Sequence, residues 1–450
     1  MTDTTLTRTF SPVDFGAAGD GRTIDTVAVQ EAIDAAAAVG GRVVVPAGTF
    51  LIGSIFLGSD MELTLSEGAT LKAVTGDEHY PTIFSRLAGI EMDGPAALVN
   101  AIGRRNVRLN GTGTIDGSGQ FWWDRYWGPD GTGGVRADYD GRGLRWAADY
   151  DTVRPRLVLF HECADVSVSD LSLRRSPFWT LHLCYCTDVH VSGVTIDEGF
   201  GPSTDGIDID SCTRVLVEKC TISCGDDDIV IKSGRDADGL RVGRPASDIE
   251  IRDCLILEGE GISLGSDLSG GINDVRISDI TFRGTDFGFR LKSSWTRSGV
   301  VENIRVTGLD MTDVREPISY TLNWYPWFNA IEIPADYEGE IPAWWHVLAL
   351  PMPEGAMPTT VRDIHVSNVV SRTSDGYDGP SRAFRLEGYP VHPMTDLSFE
   401  NLDIQAYEFG QLSGVERVQF SGVAVSAVSP AQDTSGGDHK VHFQWRPRDR

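Results

Sequence analysis

The sequence predicts an all-β chain folded as one right-handed parallel β-helix with an N-terminal capping helix. Three observations carry this expectation. Gly is frequent, 50 of 450 residues or about 11%, which signals many turns. A short apolar-x-apolar pattern recurs, led each time by a polar residue. Almost no stretch shows helical periodicity.

The recurring unit starts at Asn106-Val107-Arg108-Leu109, then at Asp165-Val166, Asp188-Val189 and Arg214-Val215. It continues at Asp248-Ile249, Asp274-Val275, Asn303-Ile304, Asp363-Ile364, Asp396-Leu397 and Arg417-Val418. Between Val166 and Ile304 the steps are 23, 26, 34, 26 and 29 residues. Units of this length with several short strands cannot bury an apolar face alone, but stacked units can. A propeller blade would need about 40 residues of antiparallel meander. Steps of about 60 residues on either side leave room for one further coil each, or for a long loop.

One helix is expected over Val27 to Val39, with Asp25 or Thr26 as N-cap and Gly40-Gly41 as its stop. It would cover the open end of the stack. The β-helix domain is expected over 1–430, interrupted by an insert at 324–358 that holds Trp324, Tyr325, Trp327, Phe328, Trp344 and Trp345. Those aromatics either pack the insert onto the body or form a wall against which sugars stack. Residues 431–450 read as a polar tail.

The charge balance excludes some partners. With 39 Lys+Arg against 65 Asp+Glu the net charge is −26, so neither nucleic acid nor an anionic membrane is expected. No apolar run reaches the ~18 residues of a membrane span. The N-terminus lacks the basic-then-apolar pattern of a secretory leader. The seven Cys lie mid-chain without paired zinc-ligand spacing, and read as reduced core thiols. Together these predict a cytoplasmic protein. Nothing in the sequence sets the oligomeric state.

Aligning the strands by their inward pairs stacks Ile207-Asp208-Ile209, Ile229-Val230-Ile231, Ile262-Ser263-Leu264 and Phe289-Arg290-Leu291. Residues at equal positions in neighbouring coils lie about 4.8 Å apart. Asp205, Asp227 and Glu260 then form one column on the outer surface, with Asp226 and Asp228 beside it. Arg290 and Lys292 share the outward face. Lys232 takes the place of Lys292 two coils earlier, and His182 precedes Asp208 by one coil. A solvated acidic face, a Ca²⁺ site on Asp205, Asp226 and Asp227, and a catalytic centre are all compatible with such a column. The adjacent cations compete with a metal, so neither metal nor cofactor is expected. Crowded carboxylates push their pKa values apart, as acid–base chemistry requires.

At these residues the sequence resembles glycoside hydrolase family 28, the polygalacturonases and rhamnogalacturonan hydrolases. The resemblance runs from Phe15-Gly16-Ala17-Ala18-Gly19-Asp20-Gly21 to about residue 425. Ser203-Thr204-Asp205-Gly206, Gly225-Asp226-Asp227-Asp228 and Arg290-Leu291-Lys292 look like the family's Asn-Thr-Asp-Gly, Gly-Asp-Asp-Cys and Arg-Ile-Lys motifs. Ser176-Pro177-Phe178-Trp179-Thr180-Leu181-His182 resembles the bacterial branch. The resemblance implies an inverting hydrolase of galacturonic-acid-containing oligosaccharides. Asp226 would be the acid, and Asp205 and Asp227 would activate water. Arg290 and Lys292 would hold a uronate carboxylate, with Lys232 and His182 as further sugar contacts. Glu260 stands where the family has His, so it either shares the acid role or marks a different glycan. The exo mode is expected from the insert at 324–358, placed to close one end of the cleft. A non-catalytic carbohydrate-binding β-helix and a lyase on the same architecture are the rivals.

Overall fold

The computed structural model describes residues 8–329, 331–377 and 379–427. The expected tail at 431–450 lies outside them. The chain winds as a right-handed parallel β-helix. One face is an eleven-stranded parallel sheet that runs from Ile55–Phe56 to Glu408–Ser413. The other two faces are separate ladders in the early coils. They fuse into long bent strands from Ile272–Arg283 onward.

The repeat seen in the sequence is the register of one of these ladders. Val107, Val166, Val189, Val215, Ile249, Val275, Ile304, Ile364, Leu397 and Val418 are successive Cα partners. The polar residue that leads each unit turns the corner in the left-handed region. Asn106, Asp165, Asp188 and Arg214 have φ of 51°, 57°, 57° and 57°. Asn and Asp tolerate this conformation because their short side chains bond locally. Where Arg takes the place, its guanidinium bonds the Asp one coil earlier, as Arg214 does with Asp188 at 2.6 Å. An earlier coil of the same kind, Asp60 (φ 56°) followed by Met61, pairs Met61 with Val107 and was not recognised in the sequence.

Both long steps are loops, not extra coils, because Val107 pairs directly with Val166 and Ile304 with Ile364. The first loop corrects the expectation of almost no helix. It holds helices at Gly119–Trp127, Gly134–Gly141 and Ala148–Asp151. They stand outside the coils and are fixed by packed aromatics such as Trp122 and Tyr126, not by a repeating apolar stripe.

The capping helix spans Thr26–Ala37, two residues shorter at its end than expected. It buries Val29, Ala32, Ile33 and Ala36 on the first coil. Asp25 precedes it, but its carboxylate accepts from the Ala18 and Gly19 amides at 2.7 and 3.0 Å rather than from the helix. All seven Cys are free and buried. Cys163, Cys186 and Cys212 stack along the core, each thiol bonded to a carbonyl of a preceding coil at 3.3 Å.

Candidate active site

The floor of the site is the eleven-stranded sheet at Leu181–Cys184, Ile207–Asp210, Ile229–Lys232, Ile262–Leu264 and Phe287–Lys292. Ile207, Ile229, Ile262 and Phe289 are register partners and point into the core. Alternation then sends His182, Asp208, Val230, Ser263 and Arg290 outward in one row. Asp205, Asp227 and Glu260 sit on the corner just before these strands. Backbone bonds tie the rungs together there: Gly206 donates to the Asp227 carbonyl at 2.9 Å, and Glu260 to that of Asp226 at 2.8 Å.

This column is not on the outer surface as the alignment predicted. Asp205 and Asp227 are 3% and 0% exposed, roofed by cations and loop residues. Oxygens of Asp205, Asp226 and Asp227 lie within 4.8 Å of one another. Each is partnered differently. Asp227 accepts from Lys292 Nζ at 2.6 Å and from Ser263 Oγ at 2.6 Å, with Arg290 at 3.7 Å. Asp205 faces Lys232 Nζ at 3.3 Å. Asp226 accepts the Asp227 amide at 3.0 Å and is the most exposed of the three.

These surroundings split the carboxyls. Burial raises the Asp226 carboxyl well above the usual range, and Asp205, Glu260 and Asp227 add to the rise. Burial also pushes on Asp227, but Lys292, Lys232 and Arg290 outweigh it and hold that group below its ordinary value. Asp205 is raised by burial and by Asp208, against the pull of Lys232. Asp226 and Asp205 are thus pushed toward holding a proton beside Asp227, which is pushed toward losing one, and that separation suits a general acid next to a base.

The same oxygens form the one carboxylate trio among the described residues with the spacing of a metal site. Two ammonium groups already reach it, at 3.3 and 2.6 Å, and supply the positive charge a cation would bring.

The other predicted residues fall as follows. Glu260 turns toward the next coil and pairs with Arg290. Lys232 bridges Asp205 and Asp208, the latter at 3.5 Å. His182 does not line the cleft. It is fully enclosed, with Nδ1 3.1 Å from Arg156 and Nε2 3.6 Å from Asp210, and burial lowers it to about 4. Arg156 also binds Ser85 and the Arg86 carbonyl, so the hairpin Thr82–Leu87/Ile90–Pro95 covers His182. Asp228, the extra carboxylate of the sequence, lies under the corner and accepts the Gly261 amide at 2.8 Å. A Cβ at Gly259 (φ +137°) would stand 2.4 Å from it.

Sequence reasoning missed the aromatic seats of the cations. Lys232 lies 4.6 Å from the Trp179 ring, Arg290 lies 3.9 Å from Phe287, and Lys292 lies 5.2 Å from Trp324. Trp179 stands inside the Ser176–His182 motif and Phe287 takes the place after Glu260 in the column, but neither is ionisable, so charge did not mark them. Tyr325 (φ 41°) interacts electrostatically with Glu260, Arg290 and Asp226. The aromatic insert divides in two. Trp324 and Tyr325 reach the site, whereas Trp344 and Trp345 pack, both donating to Asp151 Oδ1 at 2.6 and 3.0 Å.

These contacts join the insert to the loop that ends at Asp151. The loop ending at Asp151 enters the floor sheet from one edge, and the insert leaves from the other. They meet in an apolar cluster of Trp146, Tyr150, Phe178, Trp179, Trp345 and Leu348. Arg235 donates to the Tyr150 hydroxyl at 2.9 Å across the same junction.

A parallel β-helix whose floor sets a carboxyl pushed toward protonation beside one held ionised by cations has the parts of a glycoside hydrolase. The comparisons agree. Residues 36–332 match the model of glycosyl hydrolases family 28, and the chain belongs to that family. A "Probable polygalacturonase" of Vitis vinifera is 32% identical over 88% of this chain and 74% of its own length. The "Exo-poly-alpha-D-galacturonosidase" of Dickeya chrysanthemi is 28% identical, over 94% and 72%. The crystal structure of a hyperthermoactive exopolygalacturonase from Thermotoga maritima superposes with a TM-score of 0.76 at 31% identity, covering 92% of both chains.

Proposed function

We propose that this glycoside hydrolase removes galacturonic acid from the ends of short pectin-derived oligosaccharides. The junction of Trp345 with Trp146 and Asp151 supports this reading: two loops that enter and leave the floor sheet at opposite edges are joined there, and such a bridge would hold cleavage near a chain terminus. The names of its relatives, polygalacturonase and exo-poly-α-D-galacturonosidase, support the sugar and the mode.

In the reaction Asp226 gives its proton to the glycosidic oxygen, the ionised Asp227 takes one from the attacking water, and Asp205, whose carboxyl is raised by burial and by Asp208, positions that water. Lys292 and Ser263 fix Asp227, and Lys232 fixes Asp205. A cytoplasmic location, acting on imported oligosaccharides, is part of the proposal and is supported by seven unpaired buried thiols.

A product assay on oligogalacturonides and rhamnogalacturonan oligosaccharides, with and without chelator, tests this reading. Monomeric galacturonic acid released in both conditions is the expected result. Internal fragments, or unsaturated products absorbing near the ultraviolet band of an enol ether, would overturn it.

A further inference from the structure

Three cations line the floor of the cleft, and each already has a carboxylate of the protein against it. Lys232 meets Asp205 at 3.3 Å, and Lys292 meets Asp227 at 2.6 Å. Arg290 is paired with Glu260, whose Oε2 also stands 3.9 Å from Lys292. Aromatic rings take another side of each cation, as described above. Little of any cation remains open: the side chains of Lys232, Arg290 and Lys292 are 6%, 8% and 5% exposed. Glu260, at 24%, is the more accessible partner of its pair.

The position of Glu260 is fixed by its neighbours. Gly259 and Gly261, at φ +137° and +73°, carry the chain through the tight corner above Asp228. The Glu260 amide is tied to the Asp226 carbonyl at 2.8 Å, which directs its side chain across to the next coil, where Arg290 stands.

We propose that Glu260 fills the anion site made by Arg290 and Lys292, so that the sugar unit seated there carries no free carboxylate. The inference rests on the galacturonide reading above and narrows it. An arriving uronate would have to displace Glu260 or sit beside it, and like charges that close repel. An uncharged unit meets a different surface. Its hydroxyls find acceptors on the Glu260 carboxylate, and its ring finds the half-buried Trp324. A methyl-esterified uronide and a neutral deoxyhexose share this chemistry.

The test uses four disaccharides with a non-reducing α-galacturonosyl unit where possible: digalacturonate, its two mono-methyl esters, and galacturonosyl-rhamnose. The wild-type protein is expected to cleave galacturonosyl-rhamnose or one mono-ester with kcat/KM at least ten-fold above that for digalacturonate. Which of the two leads distinguishes the neutral sugar from the ester. Glu260→Gln, which keeps the shape and removes the charge, should erase or reverse the preference. Calorimetric binding of free galacturonate, a second readout independent of turnover, should tighten in that variant. Preference for digalacturonate in the wild type, or an unchanged ranking and affinity in E260Q, would overturn the inference while leaving a galacturonide hydrolase. Silence on all four compounds and on the oligogalacturonide panel would overturn both.

Discussion

Lys292 and Asp227 meet at 2.6 Å across 65 residues of sequence, the ammonium of one coil bonded to the carboxylate two coils earlier. The pair keeps Asp227 charged in a place where burial alone would protonate it.

The pH profile of turnover should therefore be bell-shaped. Activity falls as pH rises through the elevated pKa of Asp226, because the acid loses its proton. It falls again as pH drops below the depressed pKa of Asp227. Lys292→Met removes the strongest of the cations that hold Asp227 down, so its acid limb should move to higher pH. An acid limb that stays in place would assign that limb to another group.

Asp226→Asn and Asp227→Asn should each lower kcat by about 10²–10⁴-fold, the usual worth of acid–base catalysis. Circular dichroism should show the same strand content, since neither residue contributes to the core. A variant with undiminished kcat would remove that residue from the chemistry.

The anomer first released should have inverted configuration, as read by proton magnetic resonance in the first minutes of hydrolysis. Membership of the family carries this expectation against the local spacing, because the nearest oxygens of the trio approach within 4.8 Å, closer than the about 6.5–9.5 Å usual between an inverting acid and base. A retained anomer would mean that an aspartate attacks the sugar carbon directly.

Asp208 should make stability depend on pH. Both of its oxygens are buried without a hydrogen bond, and burial pushes its carboxyl up to about 8. A group raised in the folded state costs nothing below its unfolded value of about 4. It then destabilises by ~1.4 kcal/mol per pH unit until its folded pKa is passed. Asp208→Asn should accordingly gain Tm over the wild type at pH 8 and lose that advantage at pH 4. Parallel Tm curves would contradict this.

Opening the junction at Asp151 should change the products. Asp151→Ala leaves the indole N–H groups of Trp344 and Trp345 without their acceptor. The variant should release some di- and trisaccharide from oligogalacturonides, seen by anion-exchange chromatography. Monomer alone would place the barrier elsewhere.

Much of this was legible in the sequence because a β-helix repeats a local rule. Each Asn, Asp or Arg before an apolar-x-apolar pair marked a corner, and aligning the inward residues Ile207, Ile229, Ile262 and Phe289 placed Asp205, Asp227 and Glu260 in one column and Arg290 in the outward row. What lies between corners follows no such rule. The helices at 119–151 and the hairpin at 82–95 are held by tertiary contacts such as Arg86 with Asp210 at 2.7 Å. For that reason the burial of His182 was not foreseen. Alternation gives its side, but only the hairpin decides whether that side is open.

Because the acid, the base and the cations come from consecutive rungs, their separations are set by the interstrand spacing of a sheet, which hydrogen bonds hold nearly constant. Such a centre cannot be retuned by bending a hinge or sliding a domain. Its chemistry changes in discrete steps, one side chain on one rung at a time, and Glu260 beside Arg290 is one such step.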